Sequence, residues 1–352
     1  MPDSNVAMMY ERFTWRMLAN HVSPWEFEEI KSRIERWDDW CRVWCEAAEA
    51  HVKRGDAAAA EGHAITAGDA YVRAASFYHW ASFYFVHDQR QFTAALEGAQ
   101  VAMRKAAAHV RPSLEIVSIP FEGGQLPGYL RKPAGIAKAP LVIMCPGGDS
   151  TKEELYDLGE HVVARGMAYL AFDGSGQGLV STKLKMRPDY EVVISAAIDY
   201  AQQRGEFDVR RIAVGGISYG GLFACRAAAF DERVRAAVSV SAWYTPAGLY
   251  SHMHPLGQTA IKQYFGPNAP DVQNKITMAG AAARIRVPLL QVYGGRDKAS
   301  PPEQAYRVEK EVPGPVTTVV YEEGVHVCNN VQYKARPMIA DWLAKQLNAG
   351  SA

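Results

Sequence analysis

The chain has 352 residues, 48% of them hydrophobic and 22% charged, with 38 basic and 38 acidic side chains and a net charge of zero. That length exceeds one average domain and that composition supplies ample core, while the even charge removes the electrostatic case for nucleic acid or an anionic membrane as partner. No apolar run approaches the roughly 20 residues that span a bilayer, the first residues lack a basic and apolar leader, and five cysteines without framework spacing fit reduced thiols in the cytoplasm.

Residues 1–111 carry almost no strand signal and read as a helical domain. Ser23-Pro24-Trp25-Glu26 opens a helix, with serine as N-cap, proline in the first helical position and glutamate completing a capping box. The apolar positions Ile30, Ile34, Trp37, Cys41, Trp44 and Ala48 then recur at steps of four and three. This predicts one continuous buried stripe, ended by Arg54-Gly55-Asp56. Cys41 and Cys45, one turn apart, suit apolar packing better than a bridge or a metal pair. Further helices are expected over 70–85 and 92–110. The first of these is dense in rings (Tyr71, Phe77, Tyr78, Trp80, Phe83, Tyr84, Phe85), so it is buried on more than one side. The plainer reading makes it the central helix of a bundle. The functional one has His79 and Tyr84 line a substrate pocket at a domain junction.

Arg111-Pro112 and a switch to alternating apolar residues mark a boundary, which gives a second domain over 112–352. Residues 114–121 and 126–131 alternate on either side of Glu122-Gly123-Gly124-Gln125 and predict a β-hairpin. Continuous apolar runs separated by helices follow, with strands over 140–145, 167–172, 212–215, 234–241, 287–293 and 317–321. Helices are expected near 153–165, 189–203, 222–230 and 335–347. Runs of this kind mark a parallel sheet covered on both faces. With an antiparallel opening, this is the order of an α/β-hydrolase.

Gly215-Gly216-Ile217-Ser218-Tyr219-Gly220-Gly221 joins the strand ending at 215 to the helix that follows. Strand, G-x-S-x-G, helix is the setting of a nucleophile elbow, although the motif alone is a common glycine turn. Its partners decide. Asp297 stands just past the 287–293 strand and His326 in the loop after the last strand, the Ser…Asp…His order of α/β-hydrolases. An imidazole can remove the serine proton during attack, and an aspartate can hold its tautomer. The oxyanion then formed needs two aimed donors. The amide of Tyr219 is one candidate, and Gly147 or Gly148, in the loop Cys145-Pro146-Gly147-Gly148-Asp149-Ser150, supplies the other.

The loop Asp173-Gly174-Ser175-Gly176-Gln177-Gly178 lacks the G-x-G-x-x-G spacing and the acidic ribose partner of a nucleotide site, and reads as a loop that shapes the active site. The excursion over 242–285 offers Trp243, Tyr244, Tyr250, His252 and His254 as pocket lining. Neither histidine has carboxylate or cysteine company at metal spacing, so no metal or cofactor is expected.

These motifs resemble one branch of the α/β-hydrolases, the 2,6-dihydroxypseudooxynicotine hydrolase group with the related fungal pigment polyketide-shortening hydrolases. The resemblance runs over nearly the whole chain. It rests on the helical N-terminal part, Pro120-Phe121-Glu122-Gly123 with Leu126-Pro127-Gly128-Tyr129-Leu130, and Gly147-Gly148-Asp149-Ser150-Thr151-Lys152-Glu153-Glu154. It rests also on Phe172-Asp173-Gly174-Ser175-Gly176-Gln177-Gly178, the elbow, and His326 followed by Ala340-Asp341-Trp342-Leu343. It implies hydrolysis of a carbon–carbon bond next to a ketone in an acyl-aromatic or β-dicarbonyl small molecule, a homodimer, and a pocket roofed by the helical domain. Relatives that cleave such bonds are similar in having an extra carboxylate in the excursion. Here no Asp or Glu lies between Glu232 and Asp271, so a histidine or tyrosine stands in for it or the bond is an easier ester or amide. A carboxylesterase or amidase, an acyltransferase using the same three residues, and a non-catalytic binding protein are the other readings.

Overall fold

The structure, a computed structural model, describes residues 3–348; Met1 and Pro2, at the head of the stretch read as leaderless, lie outside the described residues, as do residues 349–352. Contacts divide the chain into two compact units. One comprises the described residues up to Glu115 together with His254–Ala260, and the other comprises Ile116–Met253 with the remainder from Ile261.

The first unit contains α1 (Ser4–Leu18), α2 (Pro24–Ser32), α3 (Trp40–Ala60), α4 (Ala64–Ser82) and α5 (Gln89–Ala107). The α2 start carries the expected capping box, with Ser23 accepting from the Glu26 N–H. The single stripe does not hold as one helix, because the chain breaks between Ser32 and Trp40 around a short 3-10 turn, Trp37–Asp39. Asp39 accepts from the Arg36 N–H and Asp3 from the Trp37 N–H, two side-chain bonds that compete with continuation of the helix. Nor does Gly55 end α3. A side chain there would lie 2.5 Å from the Tyr71 ring, so the glycine is a notch that lets α4 pack closely.

Helix α4 packs on both α3 and α5 and is buried nearly all round, as a central helix should be. It stops at Ser82, short of the expected end. Tyr84, within the expected helix, has φ +62° and stacks on Phe83 at 4.7 Å instead. The core here is aromatic: Trp40, Trp44, Phe77 and Trp80 are all fully buried, and the Trp40 indole N–H donates to the Trp80 carbonyl at 2.8 Å.

Beyond Arg111 the strands are β1 (Leu114–Phe121), β2 (Gly124–Arg131), β3 (Ala139–Cys145), β4 (Ala168–Phe172), β5 (Phe207–Ile217), β6 (Val234–Val240), β7 (Leu289–Gly294) and β8 (Val316–Tyr321). Their order in one eight-stranded sheet is β1-β2-β4-β3-β5-β6-β7-β8. β2 runs antiparallel to β4, and every pairing from β4 through β3 to β8 is parallel. This is the mostly parallel α/β-hydrolase sheet with an antiparallel start. β3, β4 and β7 are buried at every position, which is why they read as unbroken apolar runs.

Helices α6 (Tyr156–Val163), α7 (Glu191–Arg204), α8 (Tyr219–Phe230), α9 (Pro255–Phe265), α10 (Ala269–Lys275), α11 (Glu303–Glu309) and α12 (Gln332–Gln346) connect and close the sheet. Val162 of α6 and Ile339 and Leu343 of α12 pack over Val142, Val238 and Val292 on one face. Tyr190, the residue before α7, stacks on Phe223 of α8 with the rings 4.0 Å apart. The excursion, expected only to line a pocket, contains α9 and α10. Among the described residues no helix is long and apolar enough to cross a membrane.

Candidate active site

The elbow is built from glycines that nothing larger could replace. A Cβ on Gly216 would lie 2.2 Å from the Gly220 carbonyl carbon, and one on Gly220 would lie 2.2 Å from the Cys145 carbonyl oxygen. Between them Ser218 takes φ 57°, ψ −121°, a conformation L-residues rarely hold, and its N–H donates to Val240 O at 2.7 Å. This sharp turn from β5 into α8 lifts the Ser218 side chain clear of both elements, while Tyr219 opens the helix with an N–H that has no partner within it.

The Ser218 Oγ stands 3.2 Å from His326 Nε2, and His326 Nδ1 stands 2.7 Å from Asp297 Oδ2. Asp297 Oδ1 accepts from the N–H groups of Ala299 and Ser300, both at 2.9 Å. Burial works to raise the Asp297 pKa, but the His326 charge and hydrogen bond and these two amides outweigh it, and the carboxyl is held below its usual range. An ionised carboxylate only accepts, so the imidazole proton sits on Nδ1 and Nε2 faces the serine hydroxyl as an acceptor. The three residues therefore meet in the order needed to move a proton off Ser218.

Their loops are locked together. Arg296 N–H donates to Gly324 O at 2.8 Å, and a side chain on Gly294 would lie 2.4 Å from that same oxygen, so the Asp297 and His326 turns lie back to back. Val327 and Cys328, just after His326, have φ of 59° and 54°, uncommon for any side chain and exceptional for a β-branched one. The strain is held by Val327 N–H donating to Ser241 Oγ, Asn329 donating to the His326 carbonyl, and Asn330 bridging Val325 N–H and Glu323 O. Sequence reasoning passed over Ser241, Asn329 and Asn330. The signal available was an Asn-Asn pair directly after the histidine, in a segment with no glycine to relieve the turn. Burial and nearby carboxylates push the Cys328 thiol up to about 12, so it stays protonated beside the site.

Gly147 and Gly148 lie against the elbow. A Cβ on Gly147 would be 3.4 Å from Ser218 Cβ, and one on Gly148 would be 2.7 Å from the Tyr219 ring. Trp243 also belongs here: its ring is 5.7 Å from the His326 ring and 4.8 Å from Tyr219, and its indole N–H donates to Ala299 O. Phe265 packs edge-on to Tyr219 at 5.1 Å, and Gln273 of α10 donates to the Tyr219 hydroxyl at 2.7 Å.

The other expected residues have these surroundings. The Tyr244 hydroxyl donates to Glu311 and its ring lies 3.7 Å from the Arg307 guanidinium. Tyr250 and the exposed His252 lie on a 3-10 turn, Leu249–His252, and His254 accepts from the Leu256 N–H and so caps α9. His79 is buried in the helical unit between Trp80 and Phe83, 4.8 and 5.8 Å away, and Tyr84 lies on Phe83. Among the described residues no three His, Cys, Asp or Glu side chains are grouped to hold a metal.

Comparison with known proteins agrees with this architecture. The chain is 29% identical to the 2,6-dihydropseudooxynicotine hydrolase of Paenarthrobacter nicotinovorans over 347 residues, 97% of this chain and 93% of that one. It is 35% identical to the α/β hydrolase pydG of Acremonium sp over 236 residues, 62% of this chain and 55% of the relative, and it spans about half the length of such fungal relatives. A crystal structure of the 2,6-dihydroxy-pseudo-oxynicotine hydrolase superposes with a TM-score of 0.86 at 27% identity, covering 96% of each chain. The prolyl oligopeptidase family matches residues 157–350 and the esterase FrsA-like family matches residues 33–245. Each match spans more than half of the chain, and with the sheet order above they make one assignment: this chain is an α/β-hydrolase belonging to the FrsA-like esterase family.

Proposed function

We propose that the protein is a serine hydrolase in which Ser218 is the nucleophile, His326 the base and Asp297 its orienting carboxylate, and that it hydrolyses a carbon–carbon bond beside a ketone. The observation that carries the serine reading is the chain of contacts from Ser218 to His326 at 3.2 Å and from His326 to Asp297 at 2.7 Å. The bond class rests on similarity across nearly the full chain to a hydrolase named for 2,6-dihydropseudooxynicotine.

The chemistry runs in two halves. Ser218 Oγ adds to the carbonyl carbon as its proton passes to His326 Nε2. The oxyanion that forms is met by the N–H of Tyr219 and one N–H from Gly147 or Gly148. On collapse, the carbon–carbon electron pair leaves with the departing fragment, and His326 returns the proton to that carbon. Water, deprotonated by His326, then frees the acyl group from Ser218 as a carboxylic acid. A carbon leaving group needs its pair delocalised, which favours a β-dicarbonyl or a hydroxylated aromatic fragment. Trp243, near both Tyr219 and His326, provides a flat wall for such a ring.

A product assay on a panel of aryl ketones and β-diketones tests this, with wild type, Ser218→Ala and His326→Ala compared. Ketone cleavage that both substitutions abolish supports the reading. Turnover of activated esters alone would leave the carboxylesterase reading, which the FrsA-like esterase match favours. A homodimeric, cytoplasmic enzyme completes the proposal, the first by resemblance and the second from five free thiols; light scattering tests the dimer.

A further inference from the structure

Gln177 lies in the loop after β4, is 1% exposed, and uses its whole amide. Nε2 donates to the carbonyls of Pro146 at 2.7 Å and Gly147 at 3.0 Å. Oε1 accepts from Gly174 N–H at 2.9 Å and from the Tyr190 hydroxyl at 2.6 Å. Two carbonyls can only accept and Gly174 N–H can only donate, so the amide has a single orientation. Tyr190 is itself fixed, fully buried and stacked on Phe223 with 8° between the rings. The clamp is thus anchored where the start of α7 packs on α8.

Its reach to the site follows from peptide geometry. The Pro146–Gly147 and Gly147–Gly148 peptides are trans, and in a trans peptide the C=O and N–H point in opposite directions. Holding both carbonyls against Gln177 therefore aims the N–H groups of Gly147 and Gly148 away from it. Ser218 and Tyr219 press on those same two residues. We propose that Gln177 is the positioning residue of the oxyanion site: it fixes, through the Pro146 and Gly147 carbonyls, the direction of the loop N–H that meets the developing charge. The proposal rests on the serine-nucleophile reading above.

A donor aimed in advance matters only as charge develops, so its loss lowers kcat and leaves KM nearly unchanged. Removing an oxyanion donor outright costs roughly 10²–10³ in kcat, so misaiming one in Gln177→Leu is expected to slow acylation by roughly 10- to 100-fold. Acylation is followed with p-nitrophenyl acetate and a fluorophosphonate, and a trifluoromethyl ketone, which forms a tetrahedral adduct, should lose affinity by the same factor. Because Gln177→Leu takes the amide bond away from four buried groups and can fail to fold, Gln177→Glu is the second variant. Its carboxylate keeps the Gly174 and Tyr190 bonds but has no hydrogen for the two carbonyls. Protonation supplies one, so its acylation rate relative to wild type should rise as pH falls. A folded variant of either kind that acylates at the wild-type rate overturns the proposal, as does a raised KM with kcat unchanged, or a Gln177→Glu ratio that is flat with pH. Ser218→Ala separates the two readings. Labelling that survives it overturns the serine reading and this proposal together, whereas labelling lost in Ser218→Ala but undiminished in the Gln177 variants overturns this proposal alone.

Discussion

Lys152 meets Asp173 twice, its backbone N–H donating to Oδ1 and its ammonium to Oδ2, each at 2.7 Å. Both side chains are out of water, and Glu153 takes a second ion pair with the same ammonium at 2.9 Å. The Tyr129 hydroxyl donates to Glu153, and the Tyr129 ring lies 4.8 Å from the ammonium. Lys152 follows the loop bearing Gly147 and Gly148, and Asp173 begins the loop bearing Gln177. The ion pair therefore ties the loop that lies against Ser218 to the loop that bears Gln177.

One buried cation serving two buried carboxylates makes a testable imbalance. Burial and the Glu153 charge raise the Asp173 carboxyl from 3.8 to about 6, although Lys152 pulls the other way. Lys152→Met should cost about 3–5 kcal/mol at neutral pH, because it strands both carboxylates. Burial works to raise Glu153 as well, but the Lys152 charge and its hydrogen bonds hold that carboxyl at about 2, so without the ammonium both folded-state pKa values rise, Asp173 from about 6 and Glu153 from about 2. A group raised in this way stabilises fully below its unfolded pKa and loses that contribution as pH rises through its folded value. The stability gap between wild type and variant should therefore be smallest near pH 2 and widen as pH rises to about 6 and above. Urea unfolding of both proteins across that window measures it, and a gap that does not change with pH would count against the ion-pair account.

Asp297→Asn should fold and lose about 10⁴ in kcat, because an asparagine amide facing Nδ1 turns the imidazole to the wrong tautomer. Burial raises the Asp297 carboxyl, but His326 and the Ser300 and Ala299 amides together lower it below 3.8. Its charge therefore persists in mild acid. A carboxyl lowered in this way stabilises above its unfolded pKa and loses that contribution as pH falls through its folded value. The stability gap to Asp297→Asn should accordingly shrink below pH 3.8, as chemical denaturation at a series of pH values would show.

Two kinds of glycine should respond differently to alanine. At Gly216 and Gly220 the added Cβ would meet backbone atoms 2.2 Å away, which no rotamer can relieve. Gly216→Ala and Gly220→Ala should each cost roughly 3 kcal/mol or more and abolish labelling of Ser218. Gly62, just past α3 with φ +80°, has open space around it, so Gly62→Ala carries only the left-handed penalty of about 1–2 kcal/mol. Equal losses at the two kinds of site would refute the steric account of the elbow.

The legible parts of this molecule are those specified by near neighbours. The Ser23 capping box, the apolar runs of β3, β4 and β7, and the turn around Ser218 are each written within a few residues. What was not legible depends on partners far along the chain. Gly55 reads as a stop until Tyr71 is known to press on it, and the stripe through Trp37 reads as continuous until Asp3 takes its N–H. Tyr244 is read from its place after β6, but its partners Glu311 and Arg307 lie more than sixty positions further on. Gln177 is the sharpest case, because its glycine-rich loop was read for shape while its side chain bonds two carbonyls some thirty positions earlier.

Tyr219 separates what its backbone does from what its side chain does. Its ring stands beside Gly148 and Trp243, and its hydroxyl accepts from Gln273, a residue 1% exposed whose Oε1 has no partner among the described residues. Burial, augmented by the Asp149 charge and opposed by Gln273, pushes the phenol far above its ordinary range, so it stays neutral. Tyr219→Phe keeps the ring and the amide but deprives Gln273 of this bond, and should cost about 1–3 kcal/mol. Gln273→Leu removes the other half of the pair. The double variant should be more stable than the sum of the two predicts, since it leaves no stranded amide. Labelling of Ser218 in Tyr219→Phe should stay within about threefold of wild type, because the N–H offered to an oxyanion belongs to the backbone. Urea unfolding of the cycle alongside labelling rates tests both halves. A large labelling defect with unchanged stability would move the role of Tyr219 from its amide to its phenol.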